Sequence, residues 1–503
     1  MRCRTVSAPT HPSWLATTAL TVILVGGCQT PPAPTEGAAS SAVSASLDPR
    51  ADEASHVELV GSHDLQGRES LVVTTLADDA NGAWAYVGHH ESFWDGKPKL
   101  NPITGQVEWN GTSILDVADP AQPKLVWHIP NDGDRNSRSV SVVYDYPFDG
   151  SGRDYLIRNS EILTEGETGK DLKYQIFDIT DRGTTPSAIS LVAEITGTPP
   201  DSCGRGCGGP FILRAHKGWW SRETGYFYAA SGEPGFRNVV VQIFDLKNPK
   251  APKFVGRAWL PGLKDGEPGY EGQYSHHPIV DEAGKRIYVG YRNAGGQAAA
   301  FDISDPARPT LVWSIDMKPP FRGPHTVSPI RYGTVPNYGP TALPRTYALV
   351  VDEAGAEDVS PCPGGVRSAS YMLDITDEKK PFPVSVWQVP VGDYCKKGGR
   401  FGPHQSADTV NGQINRFTDK LAWIAYFNAG VRVVDLADPL RPKEVGYYVP
   451  KATALTHPMA MGQPAVTQMN DVDIDHRGLA YATDRAGTGL FILRFTGRRA
   501  TAP

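Results

Sequence analysis

One hairpin recurs along this chain, and nothing else in it constrains the fold so strongly. Its fullest form is Val431-Arg-Val-Val-Asp435-Leu-Ala-Asp438-Pro439-Leu-Arg-Pro442-Lys-Glu-Val445-Gly446. The β-branched run is strand-like. Asp-Pro then turns the chain, because the aspartate side chain accepts from backbone N–H groups ahead of it and proline presets φ. Close copies carry Asp116 with Asp119-Pro120, Asp245 with Asn248-Pro249, and Asp302 with Asp305-Pro306. Looser copies pair Asp178 with Asp181 and Asp374 with Asp377. A seventh, degenerate copy is Gly489-Leu-Phe-Ile-Leu-Arg494, with Arg494 in the aspartate's place. The spacing averages about 63 residues, enough for a four-stranded unit with loops.

Seven such units predict an all-β chain folded as a seven-bladed β-propeller. The last copy has no partner strand after it. Val57-Glu-Leu-Val-Gly61 matches the strand that follows the Asp-Pro turn elsewhere, as in Glu444-Val-Gly446. The N-terminal strand is therefore expected to close the last blade and remove an open sheet edge. The propeller is expected over residues 56–498. The hallmark aspartates recur in six copies, so they are expected to satisfy backbone groups at blade corners. The repeated Val-Val-Asp-Leu-Ala-Asp-Pro pattern resembles the LVIVD repeat of bacterial surface and exported proteins. That resemblance implies a propeller, often a lipoprotein, and leaves activity open, since fold does not imply function.

Residues 1–27 read as a lipoprotein-type signal peptide. Arg2 and Arg4 precede an apolar stretch at 14–25 that is short for a membrane span. Leu24-Val-Gly-Gly-Cys28 resembles the lipobox of bacterial lipoproteins. The resemblance implies cleavage before Cys28, lipidation of its thiol, and a location in the bacterial cell envelope, at the outer membrane or cell surface. Residues 28–55, rich at first in Pro, Ala, Ser and Thr, read as a flexible tether. In an oxidising compartment, Cys203, Cys207, Cys362 and Cys395 are expected to form disulfides. Of three possible pairings, Cys203 with Cys207 and Cys362 with Cys395 is the expected one. A metal site on Cys203-Gly-Arg-Gly-Cys207 is the competing reading. The net charge of −6 and the lack of a basic patch argue against nucleic acid. A monomer is expected, touching the membrane through its lipid anchor only.

Histidines fall at equivalent points of four successive blades. His216 stands ten residues before Tyr226, and His277 ten before Ile287; Gly-Pro-His325 and Gly-Pro-His404 open the next two blades. Innermost strands of a propeller point their first residues at a shared axis. His216, His277, His325 and His404 are therefore expected to converge, and the ten-residue match selects His277 over His276. Neutral imidazoles on one axis can share a divalent transition metal such as Zn, Cu or Fe. Four-histidine centres held by propellers resemble those of carotenoid-cleaving oxygenases and, more loosely, of the methanethiol oxidase and selenium-binding family. The run His89-His90-Glu91 resembles the latter's His-His motif. No activity is carried over from either. The competing reading is that such histidines bond a neighbouring strand's carbonyl.

Arg214, Arg322 and Arg400 lie near these histidines, and guanidinium forks suit carboxylate, sulfate or phosphate. His89 and His90 are expected near the same mouth. The expected function is a channel that binds a metal, a small anionic ligand or both, with metal-dependent catalysis left open. Two alternatives stand beside it. One is a non-catalytic scaffold displaying loops such as 262–274 and 353–367 to a protein partner. The other is a metal-free enzyme, similar to polysaccharide lyases, with a channel histidine as base and an arginine neutralising a carboxylate. The chain has no nucleophile elbow, P-loop, dinucleotide fingerprint or His-Glu-x-x-His motif.

Overall fold

The computed structural model describes residues 51–498 apart from 79–80, 93–95, 163–171, 185–187, 197–213, 293–295, 318–322, 334–343, 356–367, 408–419 and 460–461. Seven antiparallel sheets follow one another along the chain. Their innermost strands are Ser70–Asp78, Val140–Val143, Arg214–Trp220, Tyr274–Asp281, Pro324–Tyr332, Gln405–Ser406 and Met469–Ile474. The innermost strands of neighbouring blades touch in all seven successive pairs, the last with the first included, so the ring is closed.

Closure uses the N-terminal strand as expected. Val57–His63 pairs with Gly489–Phe495 and becomes the outermost strand of blade seven. A further strand lies ahead of the expected boundary at 56. Ala51–Ser55 pairs with Lys443–Pro450 as a fifth strand on blade six. Glu53 within it is held by Tyr394 Oη and Lys397 Nζ, each at 2.7 Å. Residues 51–63 thus staple two adjacent blades and cap two edges that would otherwise expose unpaired backbone groups. Near the axis, side chains of one blade satisfy the next blade's edge. Asp471 and Asp473 accept from Val73 N at 2.9 Å and Thr75 N at 2.6 Å, while Ser139 and Ser141 accept from Gly218 N and Trp220 N at 3.0 Å.

The hallmark aspartates do at the corners what their recurrence implies. Oδ1 of Asp116, Asp178, Asp245, Asp302, Asp374 and Asp435 accepts from the backbone N–H two residues on, at 2.7–3.1 Å. The Asp or Asn before the proline repeats the pattern, as in Asp119 to Ala121 and Asn248 to Lys250. These corners also set the packing between blades. A Cβ on Gly61 would lie 2.1 Å from Pro120 O, and one on Gly256 2.4 Å from Pro306 O. Each proline carbonyl seats against the glycine of the preceding blade's outer strand, so a tight turn and a missing side chain fix one interblade angle. Between blades, the strand faces bury aliphatic and aromatic side chains. Ile243, Val289, Ala299 and Val350 form one continuous core across blades three to five, each large aliphatic contributing about 1.5–3 kcal/mol on burial. No helix among the described residues is long and apolar enough to cross a membrane.

Candidate functional site

On the innermost strand of five blades, one extra residue interrupts the ladder near the channel mouth. In blade three, Ala215 pairs with Ser231 and Gly218 with Ala229, so His216 and Lys217 oppose the single Ala230. In blade four, Ser275 pairs with Tyr291 and Pro278 with Val289, so His276 and His277 oppose Gly290. In blade five, His325 is the extra residue between Pro324 and Thr326. A bulge of this kind bends the strand and re-aims a side chain. Gly290 opposite the bulge is required: its Cβ would lie 2.3 Å from Pro324 O, so the histidine-bearing strands of blades four and five are drawn together. In blade six, His404 immediately precedes the inner strand and donates its N–H to Ala425 O at 2.9 Å.

These local devices line up four buried imidazoles. Ring centroids stand 4.3 Å apart for His216 and His276, 3.9 Å for His276 and His325, and 4.4 Å for His325 and His404. The Nε2 atoms of His216 and His276 are 2.9 Å apart. Glu353, just past the second strand of blade five (Arg345–Asp352), brings Oε2 to 3.5 Å from His276 Nε2 and 3.7 Å from His404 Nε2. His276, His325 and Glu353 each offer a ligand atom within 4.8 Å of the others.

The expected member His277 is not in this row; His276 is. His277 lies 6.3 Å from His325 by ring centroid and lines a separate small void with Lys217, Thr74, Ser139 and Trp219. The ten-residue match fails because it equates Tyr226 with Ile287. In the ladders Trp220 pairs with Phe227 and Val280 with Ile287, so Phe227 is the equivalent residue, and His216 and His276 each stand eleven residues ahead.

The outward nitrogens explain which way the rings face. His404 Nδ1 donates to Asn470 O, His325 Nδ1 lies 2.8 Å from Thr326 Oγ1, and His216 Nδ1 is 3.8 Å from Glu161 Oε2. His216 Nδ1, His276 Nδ1 and His325 Nε2 have no hydrogen-bond partner among the described residues. Burial drives His216 to about 3, with Arg138 adding to the effect and Glu161 opposing it. Burial drives His404 to about 3 although Glu353 pulls it up. His276 and His325 fall well below the usual value, by burial first and then by each other and their neighbouring imidazoles. Burial would raise Glu353 and Glu161, but Arg292, His404 and Arg400 hold Glu353 at about 2, and Arg138, His216 and Arg214 hold Glu161 there too. At neutral pH the row is four neutral imidazoles beside an ionised carboxylate.

The row borders a cavity of about 350 Å³ whose lining includes His90, Tyr274, Asn470 and many cations. Arg138, Arg214, Lys217, Arg292, Arg400 and Arg485 all face it. Glu353 pairs with Arg292 at 2.5 Å and Arg400 at 3.5 Å; Glu161 pairs with Arg138 at 2.6 Å and Arg214 at 3.3 Å. Of the residues expected from sequence, His90, Arg214 and Arg400 reach the cavity. His89 does not: it is buried within blade one between Ser70 Oγ at 3.2 Å and Ser113 Oγ at 2.8 Å, because strand alternation turns it away from its neighbour. Arg322, Cys28, Cys203, Cys207 and Cys362 lie outside the described residues; Cys395 belongs to the short helix Tyr394–Lys397. Sequence reasoning missed Glu161, Arg292, Glu353 and Arg485. They share a position, at or one residue past the end of a blade's second strand, which each blade presents to the mouth.

Residues 287–317 and 418–449 match the LVIVD repeat model. No curated protein matches the chain. Among solved structures it is similar to Raptor from Chaetomium thermophilum, at 11% identity over 90% of this chain and 30% of that one, with a TM-score of 0.50. It is similar to a hypothetical selenium-binding protein from Sulfolobus tokodaii, at 10% identity over 86% of this chain and 91% of that one, TM-score 0.46. A third is the periplasmic gluconolactonase of Pseudomonas aeruginosa, at 13% identity over 78% and 96%, TM-score 0.43. At these identities the likeness is one of fold alone, and this chain spans 30% of the length of Raptor. The chain is thus a seven-bladed β-propeller with two stretches that match the LVIVD repeat.

Proposed function

We propose that the channel mouth is a metal centre that also receives a small anion. His216, His276, His325 and His404 hold one divalent transition metal (Zn, Cu or Fe), and Glu353 offsets its charge. The observation that carries this reading is the orientation of the row. Two of the four rings, His325 and His404, have an outward Nδ1 partner and His216 Nδ1 faces Glu161 at 3.8 Å, while the Nε2 atoms of His216, His276 and His404 face one another or Glu353. Such outward partners fix the tautomer of metal-binding imidazoles and raise their basicity as ligands. The separations fit as well. Donor atoms about 2.0–2.1 Å from one ion stand roughly 3.0–3.4 Å from each other; the Nε2 atoms of His216 and His276 stand 2.9 Å apart, and His276, His325 and Glu353 offer donor atoms within 4.8 Å of one another. Because burial keeps the imidazoles unprotonated, the ion meets no competing proton at neutral pH. When bound, the metal would supply Lewis acidity to an anion held by the surrounding arginines.

The metal-free lyase reading fares worse on the same observations. A general base works best with a pKa near the operating pH, and His216 and His404 at about 3 are poor proton acceptors. Export and lipidation at Cys28 remain part of the proposal; incorporation of labelled palmitate that is lost in Cys28→Ala would support them. The metal reading is tested by titrating Co²⁺ into the metal-stripped protein. Saturation at one equivalent with visible d–d absorption, abolished by His276→Ala, is the expected result. Failure to take up Co²⁺ saturably would refute it.

A further inference from the structure

Four of the six cations around the cavity stand at the two ends of the histidine row, while Arg292 pairs with Glu353 beside its middle. At one end, beside His404, Arg400 and Arg485 lie over the same phenyl ring, with Cζ 5.5 and 5.9 Å from the Phe427 centroid. Both are set by one residue: Gln468 accepts from Arg400 N through Oε1 at 2.8 Å and from Arg485 N through its backbone carbonyl at 3.0 Å. Arg485 has no carboxylate partner among the described residues, and burial followed by the field of Arg400 lowers it to about 9. At the other end, Arg214 opens the inner strand that carries His216, and its guanidinium lies over Tyr274 of blade four at 5.6 Å. Blade three, which carries Arg214, stands three places from both blade six and blade seven, as far as a seven-membered ring allows. The cavity therefore has two aromatic-backed guanidinium poles with neutral imidazoles between them.

Charge accounting points the same way. Six cations face the cavity, against Glu69 and Glu353 in its lining and Glu161 behind Arg138 and Arg214 among the described residues. A lining in which cations outnumber carboxylates suits an anionic ligand, because a buried charge is costly unless an opposite one faces it. Guanidinium forks are suited to bidentate carboxylate binding.

We propose that the cavity takes a small dicarboxylate laid along the histidine row, one carboxylate on Arg400 and Arg485 over Phe427 and the other on Arg214 beside Tyr274. This deepens the anion part of the reading above and does not rest on the metal, so it is measured on metal-stripped protein. The probes are straight-chain dicarboxylates from malonate to adipate, with acetate and inorganic phosphate as comparators, read by titration calorimetry. At least one dicarboxylate should bind about tenfold or more tighter than acetate and phosphate. That binding should be lost in Arg485→Gln, weakened in Arg214→Gln, and partly kept in Arg485→Lys, which retains the charge without the fork. Arg485 is anchored through its backbone N–H, so these variants should keep the parent's urea midpoint. The proposal is overturned if no dicarboxylate outdoes acetate, if phosphate binds best, or if Arg485→Gln and Arg214→Gln bind like the parent. Co²⁺ uptake measured on the same samples reports separately on the metal reading.

Discussion

Replacing His276 and His325 together by glutamine should make the metal-stripped protein less sensitive to acid. The reasoning runs through proton linkage. Both imidazoles titrate far below 6.5 in the folded protein because they are buried among cations and other imidazoles. The unfolded chain takes up a proton on each near 6.5, and the native state does not. As pH falls through that value the unfolded state gains protons, so stability drops. Between pH 7 and 5.5 each such histidine costs about 1.3 kcal/mol of stability, from 1.36 kcal/mol per pH unit corrected for partial protonation at pH 7. Two of them cost about 2.5 kcal/mol. His216 and His404 stay in the variant, and the buried His89, His90 and His128, also depressed, are common to both proteins and cancel. Glu161 and Glu353 are held at about 2, so their protonation falls outside this window. Urea unfolding of parent and variant at both pH values gives the four free energies needed. The parent should lose about 2.5 kcal/mol more than the variant on acidification. Equal losses would mean that these imidazoles are not buried as neutral groups, and the electrostatic picture of the row would fall.

Three structural predictions accompany it. Asp435→Ala removes a buried acceptor at 2.8 Å from Ala437 N and should cost about 1–2 kcal/mol by urea unfolding, whereas Asp305→Ala, at a half-buried turn position, should cost about 0.5. Gly61→Ala drives a Cβ to 2.1 Å from Pro120 O at the ring closure and should lower stability by about 3 kcal/mol; Gly133→Ala, which meets nothing within 4 Å, should be close to neutral in the same assay. Glu53→Ala breaks the contacts to Tyr394 and Lys397, so hydrogen exchange should speed up at residues 51–55 while the strands near the axis stay protected.

The blades were legible because their signal is local. An aspartate two residues ahead of its N–H partner and a proline after the turn leave the same mark in each copy, whatever the loops between them do. Closure by Val57–His63 was legible for the same reason: one hallmark lacked its following strand, and one such strand stood alone at the start. The site was less so. Position at the blade starts brought His216, His325 and His404 into the row, but the ten-residue match took Tyr226 as the equivalent of Ile287 where the ladders give Phe227, which is why His277 was expected where His276 stands. Glu353 and Arg485 were missed because a charged residue at the end of a second strand marks an ordinary blade rim as readily as a shared mouth. They matter only once two blades far apart in the chain meet at the mouth. The strand Ala51–Ser55 was hidden in a Pro- and Ala-rich context whose composition speaks of a tether, and its pairing with blade six depends on an edge left free by the ring.

The most direct test of the central claim is elemental analysis of four purified proteins after reconstitution with Zn, Cu and Fe salts: the parent, His276→Ala, His325→Ala and His277→Ala. The account predicts close to one metal ion per chain in the parent and in His277→Ala, and loss of that ion in His276→Ala and His325→Ala. No metal in a folded parent, or loss in His277→Ala with retention in His276→Ala, would contradict it.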